Sequence, residues 1–306
     1  MTRCAVCDGS LSGGRIVSPD RLHGLPGTFE VRRCATCGTG RTLPLVDEDG
    51  LGALYPDSYT PHSYADGPRG AAALASRAIH RWQEVRMLST PALATARSLA
   101  PGRALDVGCG RGALGAVLIG RGWRVDGVEP SPTAVEAARG RGIDARAGTL
   151  SSLALDESAY DLVTLMHSLE HTVEPVRDLR RAARATRSGG VVAVTVPNFG
   201  GTQARLFGGR WFHLDVPRHR HHFTAGGLRV ALAAAGLRVE RVATSTSAVG
   251  LAGSLQYAVA GRWVMRDGLA FQVTSALSQA TWPLARAFDL ASRGGGDLLH
   301  AVARRV

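Results

Sequence analysis

Three groups of residues in this chain have types and spacings that could do chemistry. The first is a glycine turn flanked by carboxylates. Arg103 to Gly112 reads R-A-L-D-V-G-C-G-R-G, an apolar run (Ala104, Leu105, Val107) that carries Asp106 into Gly108, Cys109, Gly110 and Gly112. Glycines at alternate positions let the backbone turn tightly and let a ligand lie against the main chain. Asp106 stands where a carboxylate could hold a ligand ammonium group. The next apolar stretch, Trp123 to Val128, ends in Glu129, followed by Pro130 and Ser131. A carboxylate there suits a ribose diol, and Ser131 suits the cap of the following helix. Together these residues predict a site for an adenosine-containing cofactor. Gly108, Gly110 and Ala113 also satisfy the dinucleotide fingerprint, so the glycines alone leave a nicotinamide-dependent dehydrogenase open.

The second group is four of the five cysteines, in two C-x-x-C pairs: Cys4 with Cys7 and Cys34 with Cys37. Each pair can place two thiolates on one metal, and two pairs complete a tetrahedral zinc site. The gap between them exceeds the usual ribbon spacing of about 15–20 residues. It holds two strand-like pieces, Arg15 to Val17 and Thr28 to Val31, which predicts a zinc ribbon with an extended hairpin. Four thiolates leave no open coordination position, so the zinc is expected to be structural. A redox dithiol is the alternative, and no thioredoxin-like context surrounds either pair. The third group is histidines: His167, Glu170 and His171 after the strand-like run Tyr160 to Leu165, and His219 and His222 in P-R-H-R-H-H-F. H-x-x-E-H also matches a zinc-protease pattern. That pattern needs its ligands on one helix face, whereas His167 leaves a buried strand.

These residues need elements to hold them, and the sequence supplies a regular alternation. Strands are predicted near 103–107, 124–128, 143–147, 160–165 and 190–196, with helices near 112–120, 131–140 and 175–187. Such alternation implies an α/β fold, a parallel sheet with helices on both faces. Leu228 to Ala235 reads as a further helix and Leu237 to Val242 as a strand. Leu298 to Val306 reads as a last strand antiparallel to it. Residues 245–293 then form a helical, apolar insertion between the last two strands, with packing on the core, a lid, a dimer contact and a membrane-surface pair as its readings. The expected organisation is a zinc-ribbon module over 1–45, a linker and helical lead-in over 46–100, and the α/β domain over 101–306.

Leu105 to Gly112 resembles motif I of class I S-adenosylmethionine-dependent methyltransferases, and Gly127 to Ser131 resembles their ribose-binding strand end. Ser168-Leu169-Glu170-His171 with Glu174-Pro175 resembles the ubiquinone-methyltransferase-like branch. The resemblance implies a Rossmann-like seven-stranded sheet with an antiparallel last strand. It also implies S-adenosylmethionine held by Asp106, Gly108, Cys109, Gly110, Gly112, Glu129, Pro130, Ser131 and His167. Tyr59, near Leu54-Tyr55-Pro56, matches an aromatic that closes over the cofactor. Relatives often carry an acid after the third strand; Gly148-Thr149-Leu150 stands there instead, so Thr149 and Leu150 would meet the adenine through backbone or apolar atoms. Trp211 to His219 resembles the W-x-x-x-D-x-P-R-H segment that covers the substrate in relatives. In ubiquinone-type relatives a divalent cation can sit at the Glu170–His171 turn, where His167 replaces an acid. The ribbon-plus-methyltransferase layout resembles enzymes that methylate activated sugars.

The reading that follows is a methyltransferase acting on a hydroxyl or carbon of a small molecule. His167, His171, His219 or His222 would assist by accepting a proton. The formal net charge is +11 and every basic residue is arginine. Arginine favours phosphate and carboxylate, so an RNA methyltransferase is the alternative; the arginines are scattered and no basic stretch is rich in aromatics. A non-enzymatic zinc-ribbon adaptor ranks third. No run reaches the roughly 18 apolar residues of a spanning helix, and no signal peptide is apparent. A cytoplasmic protein is expected, with peripheral membrane or protein contact open through 245–293.

Overall fold

The computed structural model describes residues 3–46, 50, 54–55, 89–247, 249–263, 268–291 and 295–306, with the backbone alone over 268–278. Strands β1 (Arg15–Ser18), β2 (Phe29–Arg33) and β3 (Gly40–Leu43) form an antiparallel meander. The alternating part follows with β4 (Arg103–Val107), β5 (Arg124–Glu129), β6 (Asp144–Ala147), β7 (Tyr160–Met166) and β8 (Thr186–Pro197). Next come the two-residue β9 (His221–His222), then β10 (Leu237–Ser245) and β11 (Leu298–Arg305). The large sheet has the order β10-β11-β8-β7-β4-β5-β6. β4 to β8 pair in parallel, and β11 runs antiparallel to both β8 and β10. This is the seven-stranded sheet with an inverted last strand that the sequence implies.

The central strands are near-continuous apolar runs because helices cover both faces. On one face Leu105, Val163, Leu165 and Val194 pack with Leu179 of helix Pro175–Ala185 and Leu228 of helix Ala225–Ala234. On the other, Ala104, Val125 and Leu162 pack with Leu114 and Leu118 of helix Ala113–Ile119 and Val135 of helix Pro132–Arg139. Local chemistry starts the helices, at Ser131 where expected and at Thr224 so that the later helix begins at Ala225 and not at the expected Leu228. Ser131 Oγ accepts the Ala134 N–H with Pro132 at the first turn, and Thr224 Oγ1 accepts the Gly227 N–H.

Two further boundaries, a helix end and a strand start, differ from the sequence reading. Helix Pro175–Ala185 ends before 187, with the Thr186 hydroxyl bonding back to the Ala182 carbonyl, and β8 begins at once. The insertion consists of helices Val249–Ala260 and Gly268–Leu290. Gly253 lies flat against the Phe212 ring, which also meets Tyr257 and Trp263 at 5.7 and 5.2 Å between centroids. The insertion therefore packs on the loop between β8 and β9. Among the described residues no helix is long and apolar enough to cross a membrane.

Candidate active site

Parallel pairing brings the carboxyl ends of β4, β5, β7 and β8 to one edge, where ligands of open α/β sheets bind. Asp106 lies there, 2% exposed, its Oδ1 accepting the Thr164 hydroxyl at 2.7 Å. Burial pushes its carboxyl up to about 6, with the Thr164 bond working the other way and Glu129 adding to the rise. Glu129 ends β5. It accepts the Gly110 N–H at 3.0 Å on Oε2 and the Ser131 N–H at 3.0 Å on Oε1, so it ties the two turns together.

The three glycines have different reasons to be glycine. All take positive φ (71°, 51° and 81° for Gly108, Gly110 and Gly112). A Cβ on Gly108 would strike Ser168 at 2.6 Å, and one on Gly112 would strike Ile143 at 2.4 Å. Among the described residues, a Cβ on Gly110 would meet nothing within 4 Å. Gly110 is thus the open part of the cradle. Ser168 Oγ is buried beside the turn with no hydrogen-bond partner among the described residues, a polar atom that a ligand could reach. Cys109 is buried against Gly127, and burial pushes its thiol up, which fits a filler of the turn. Leu150 is 3% exposed, and Thr149 bonds Ser152. Tyr59 lies outside the described residues.

Beyond β7 the chain makes a short 3-10 turn, Leu169–His171. His167 has φ 55° and a half-exposed ring whose Nδ1 is 3.4 Å from Glu170 Oε1. Glu170 is fully buried, and neither carboxylate oxygen has a partner within hydrogen-bond geometry among the described residues. His171 Nδ1 lies 2.9 Å from Tyr55 Oη and 3.1 Å from the Arg218 carbonyl. The carbonyl can only accept, so Nδ1 carries the proton and Nε2 the lone pair. His219 meets His171 edge-on with ring centroids 4.7 Å apart. Its Nδ1–H donates to the His213 carbonyl at 2.9 Å, again leaving the lone pair on Nε2. Burial, joined by the neighbouring His171, pushes His219 down to about 4. Donor atoms of Glu170, His171 and His219 all lie within 4.8 Å of one another. His222 is committed elsewhere. The Thr42 hydroxyl donates to the His219 carbonyl at 2.6 Å, so it accepts the His222 Nε2–H at 2.9 Å.

The four N-terminal cysteines converge as the spacing predicts. Sγ of Cys4 is 3.6 Å from that of Cys37, and Sγ of Cys7 is 3.5 Å from that of Cys34, all as free thiols. A tetrahedral ion with metal–sulfur bonds of about 2.3 Å separates its ligands by roughly 3.8 Å, so the cluster has the size of a zinc site. Against its burial, the backbone N–H groups of Cys37 and Thr36 draw the Cys34 thiol down to about 7.

Sequence reasoning missed Thr164 and Ser168, whose roles depend on which strand lies next to β4, and Tyr55, four residues from the tyrosine it chose. It also missed Asp20 and His213. His213 Nε2 is 3.0 Å from the buried Asp297 Oδ2, a contact across 84 residues of chain.

A family model described as "Methyltransferase domain" matches residues 78–242, more than half of the chain. A ubiquinone biosynthesis O-methyltransferase of Xanthomonas oryzae pv. oryzae (strain PXO99A) is 29% identical over 168 residues, covering 52% of this chain and 66% of that protein. The match thus spans slightly under two thirds of that relative's length. One from Xanthomonas euvesicatoria pv. vesicatoria (strain 85-10) is 29% identical over 191 residues, 58% of this chain and 76% of the relative. Among solved structures, a geranyl diphosphate C-methyltransferase from Streptomyces coelicolor A3(2) superposes with a TM-score of 0.51 at 16% identity, covering 85% of this chain and 89% of that one. A putative sarcosine dimethylglycine methyltransferase from Galdieria sulphuraria gives 0.50 at 17%, covering 76% and 88%. At such identity the likeness is one of fold. With motif, sheet order and family match in agreement, the chain belongs to the methyltransferase domain family, on the class I S-adenosylmethionine-dependent methyltransferase fold.

Proposed function

We propose that this protein transfers a methyl group from S-adenosylmethionine to a hydroxyl or acidic carbon of a small molecule. The observation that carries the reading is the pair of buried carboxylates, Asp106 and Glu129, on either side of the open Gly110 turn. That arrangement offers charge to an ammonium group at one end and acceptors to a ribose at the other. When bound, the cofactor supplies an electrophilic methyl on a sulfonium. The chain's own residues bind and orient it, exclude water and handle the acceptor's proton. Asp106 takes the ammonium group, Glu129 the ribose diol, and the Gly108 to Gly112 backbone the body of the nucleoside. Pro130, Ser131 and His167 line the rim, and Leu150 with Thr149 supplies the adenine wall.

His219 and His171 are the proposed bases, since each presents an Nε2 lone pair and Glu170 lies beneath them to offset an imidazolium. Burial holds His219 near 4 in the empty protein, so the ring is neutral at ordinary pH, and the carboxylates of Asp215 and Glu170 are the groups that work to raise its basicity. His222 is assigned to the joint with β3 instead. The relatives' printed name speaks of O-methylation and that of one solved neighbour of C-methylation, and both suit an acceptor that must lose a proton. The cysteine cluster is proposed to hold structural zinc. The test is incubation with S-adenosylmethionine and candidate metabolite pools, read by mass spectrometry for products heavier by one CH2. Calorimetry with the cofactor runs alongside it. Absence of cofactor binding would sink the reading, and so would binding that survives Asp106→Ala and Glu129→Ala unchanged.

A further inference from the structure

The N-terminal segment is bonded into the histidine cluster. β3 takes β9 as its neighbour, pairing Gly40 with His222 and Arg41 with His221. The Thr42 N–H donates to the Arg220 carbonyl at 3.0 Å. At the start of the same loop the Gly209 carbonyl accepts Ser18 Oγ at 2.8 Å and Arg21 Nε at 3.0 Å. At its end the Thr224 hydroxyl donates to the Cys37 carbonyl at 3.1 Å. Residues 209–224 are therefore gripped at both ends and in the middle by the first 45 residues.

The middle grip is ionic. Asp20 and Arg218, 198 residues apart in sequence, have fully buried side chains and pair bidentately at 2.6 and 3.0 Å. Asp20 is itself seated by the N–H groups of Leu22, His23 and Leu25. Arg218 turns its other edge to Asp215, with Nε and Nη2 at 3.0 and 2.6 Å from Oδ1. Asp215 accepts the His219 N–H on its carbonyl at 2.9 Å and faces His219 Nε2 through Oδ2 at 3.8 Å. One guanidinium neutralises one carboxylate. The second carboxylate's charge is left over, and Asp215 delivers it to the ring that would become an imidazolium.

We infer that the N-terminal segment is a wall of the acceptor site and that Asp20 is a positioning residue, fixing the place and electrostatics of His219 through Arg218 and Asp215. The inference deepens the proposed function and rests on its reading of His219 as an acceptor-side base. Removing the Asp20 charge leaves Arg218 to Asp215 alone. The loop then loses its anchor, and His219 loses the surplus negative charge.

The test compares wild-type protein with Asp20→Asn and Asp20→Glu. The readouts are cofactor calorimetry, the 15N signals of the His219 ring and hydrogen exchange of the 209–224 amides. Asp20→Asn is expected to keep cofactor affinity within about threefold, because Asp106 and Glu129 are untouched. The His219 signals shift and the loop amides exchange on the order of tenfold faster or more. Asp20→Glu, which keeps the charge, recovers part of both. Unchanged His219 signals and loop exchange in Asp20→Asn overturn the inference. Should Asp20→Asn fail to fold, Asp20→Glu, which lengthens the ionic grip, and Thr42→Val, which removes the separate bond from this segment to the His219 carbonyl, are read instead, and unchanged His219 signals in both overturn the inference. A wild-type protein that binds no cofactor counts against methyl transfer while leaving the His219 readout intact, so the two failures are told apart.

Discussion

Asp106 puts ligand binding and stability in opposition. Its folded carboxyl stands near 6 against an ordinary 3.8, because burial disfavours the charged form. A raised acid contributes stability below its unfolded value and loses it as pH rises through the folded one. By pH 7 the empty protein has therefore given up roughly 3 kcal/mol at most at this position. Asp106→Asn is expected to raise the melting temperature of the cofactor-free protein at pH 7.5 and to cost most of its S-adenosylmethionine affinity. Calorimetry and thermal unfolding on the same sample check both. In the wild type, affinity should fall below pH 6 by up to about tenfold per unit as the carboxyl protonates. An affinity flat from pH 7 to 5 would remove Asp106 from the ammonium site.

At the scale of elements, the turn after β4 separates fold from function. Gly108→Ala drives a methyl into Ser168 at a positive φ and is expected to destabilise the protein by about 1–3 kcal/mol. Gly110→Ala meets nothing among the described residues, so it should cost about 1–2 kcal/mol for its backbone conformation and still remove cofactor binding. Equal loss of binding and stability in both variants would contradict that division. The cysteine cluster, with the zinc proposed for it, makes its own prediction. Cys37→Ser should release zinc, seen by elemental analysis, and loosen Thr224, which bonds the Cys37 carbonyl and caps helix Ala225–Ala234. These elements were legible because each is a local pattern: Leu105 and Val107 around Asp106, glycines at alternate places, two C-x-x-C pairs. The end of helix Pro175–Ala185 was less so, since Thr186 can bond the helix or enter the strand and the pairing with β7 decides.

For the whole molecule, acid is the discriminating perturbation. His219, His221 and His300 are buried and held near 4, 3 and 4, chiefly by loss of hydration. Unfolded, each titrates at its ordinary 6.5. Between pH 6.5 and about 4 the unfolded chain binds more protons, so stability rises with pH and falls on acidification, by roughly 1.4 kcal/mol per unit for each histidine. His222 is lowered in the same way, while Asp106, between 3.8 and 6, and Asp289, above 3.8, act in the opposite sense, two carboxyls against four histidines. Melting temperature should therefore drop steeply from pH 6.5 to 4.5, and His300→Asn should flatten that slope. A slope unchanged in that variant would mean His300 is hydrated in the folded state. His300 sits on β11 between Thr195 and Ser245, so its titration reports on the strand that closes the sheet.

Fold class, the glycine turn and each cysteine pair follow from residues near one another in sequence, because backbone conformation, strand apolarity and ligand spacing are local properties, while closure of the sheet was implied by the family resemblance. The tertiary structure alone decided that β9, two residues long, joins β3; that Arg218 finds Asp20; and that His222 faces Thr42 while His219 faces His171. A buried charge pair or a ring orientation depends on distance in space, and no periodicity records which of 36 arginines a given aspartate will meet.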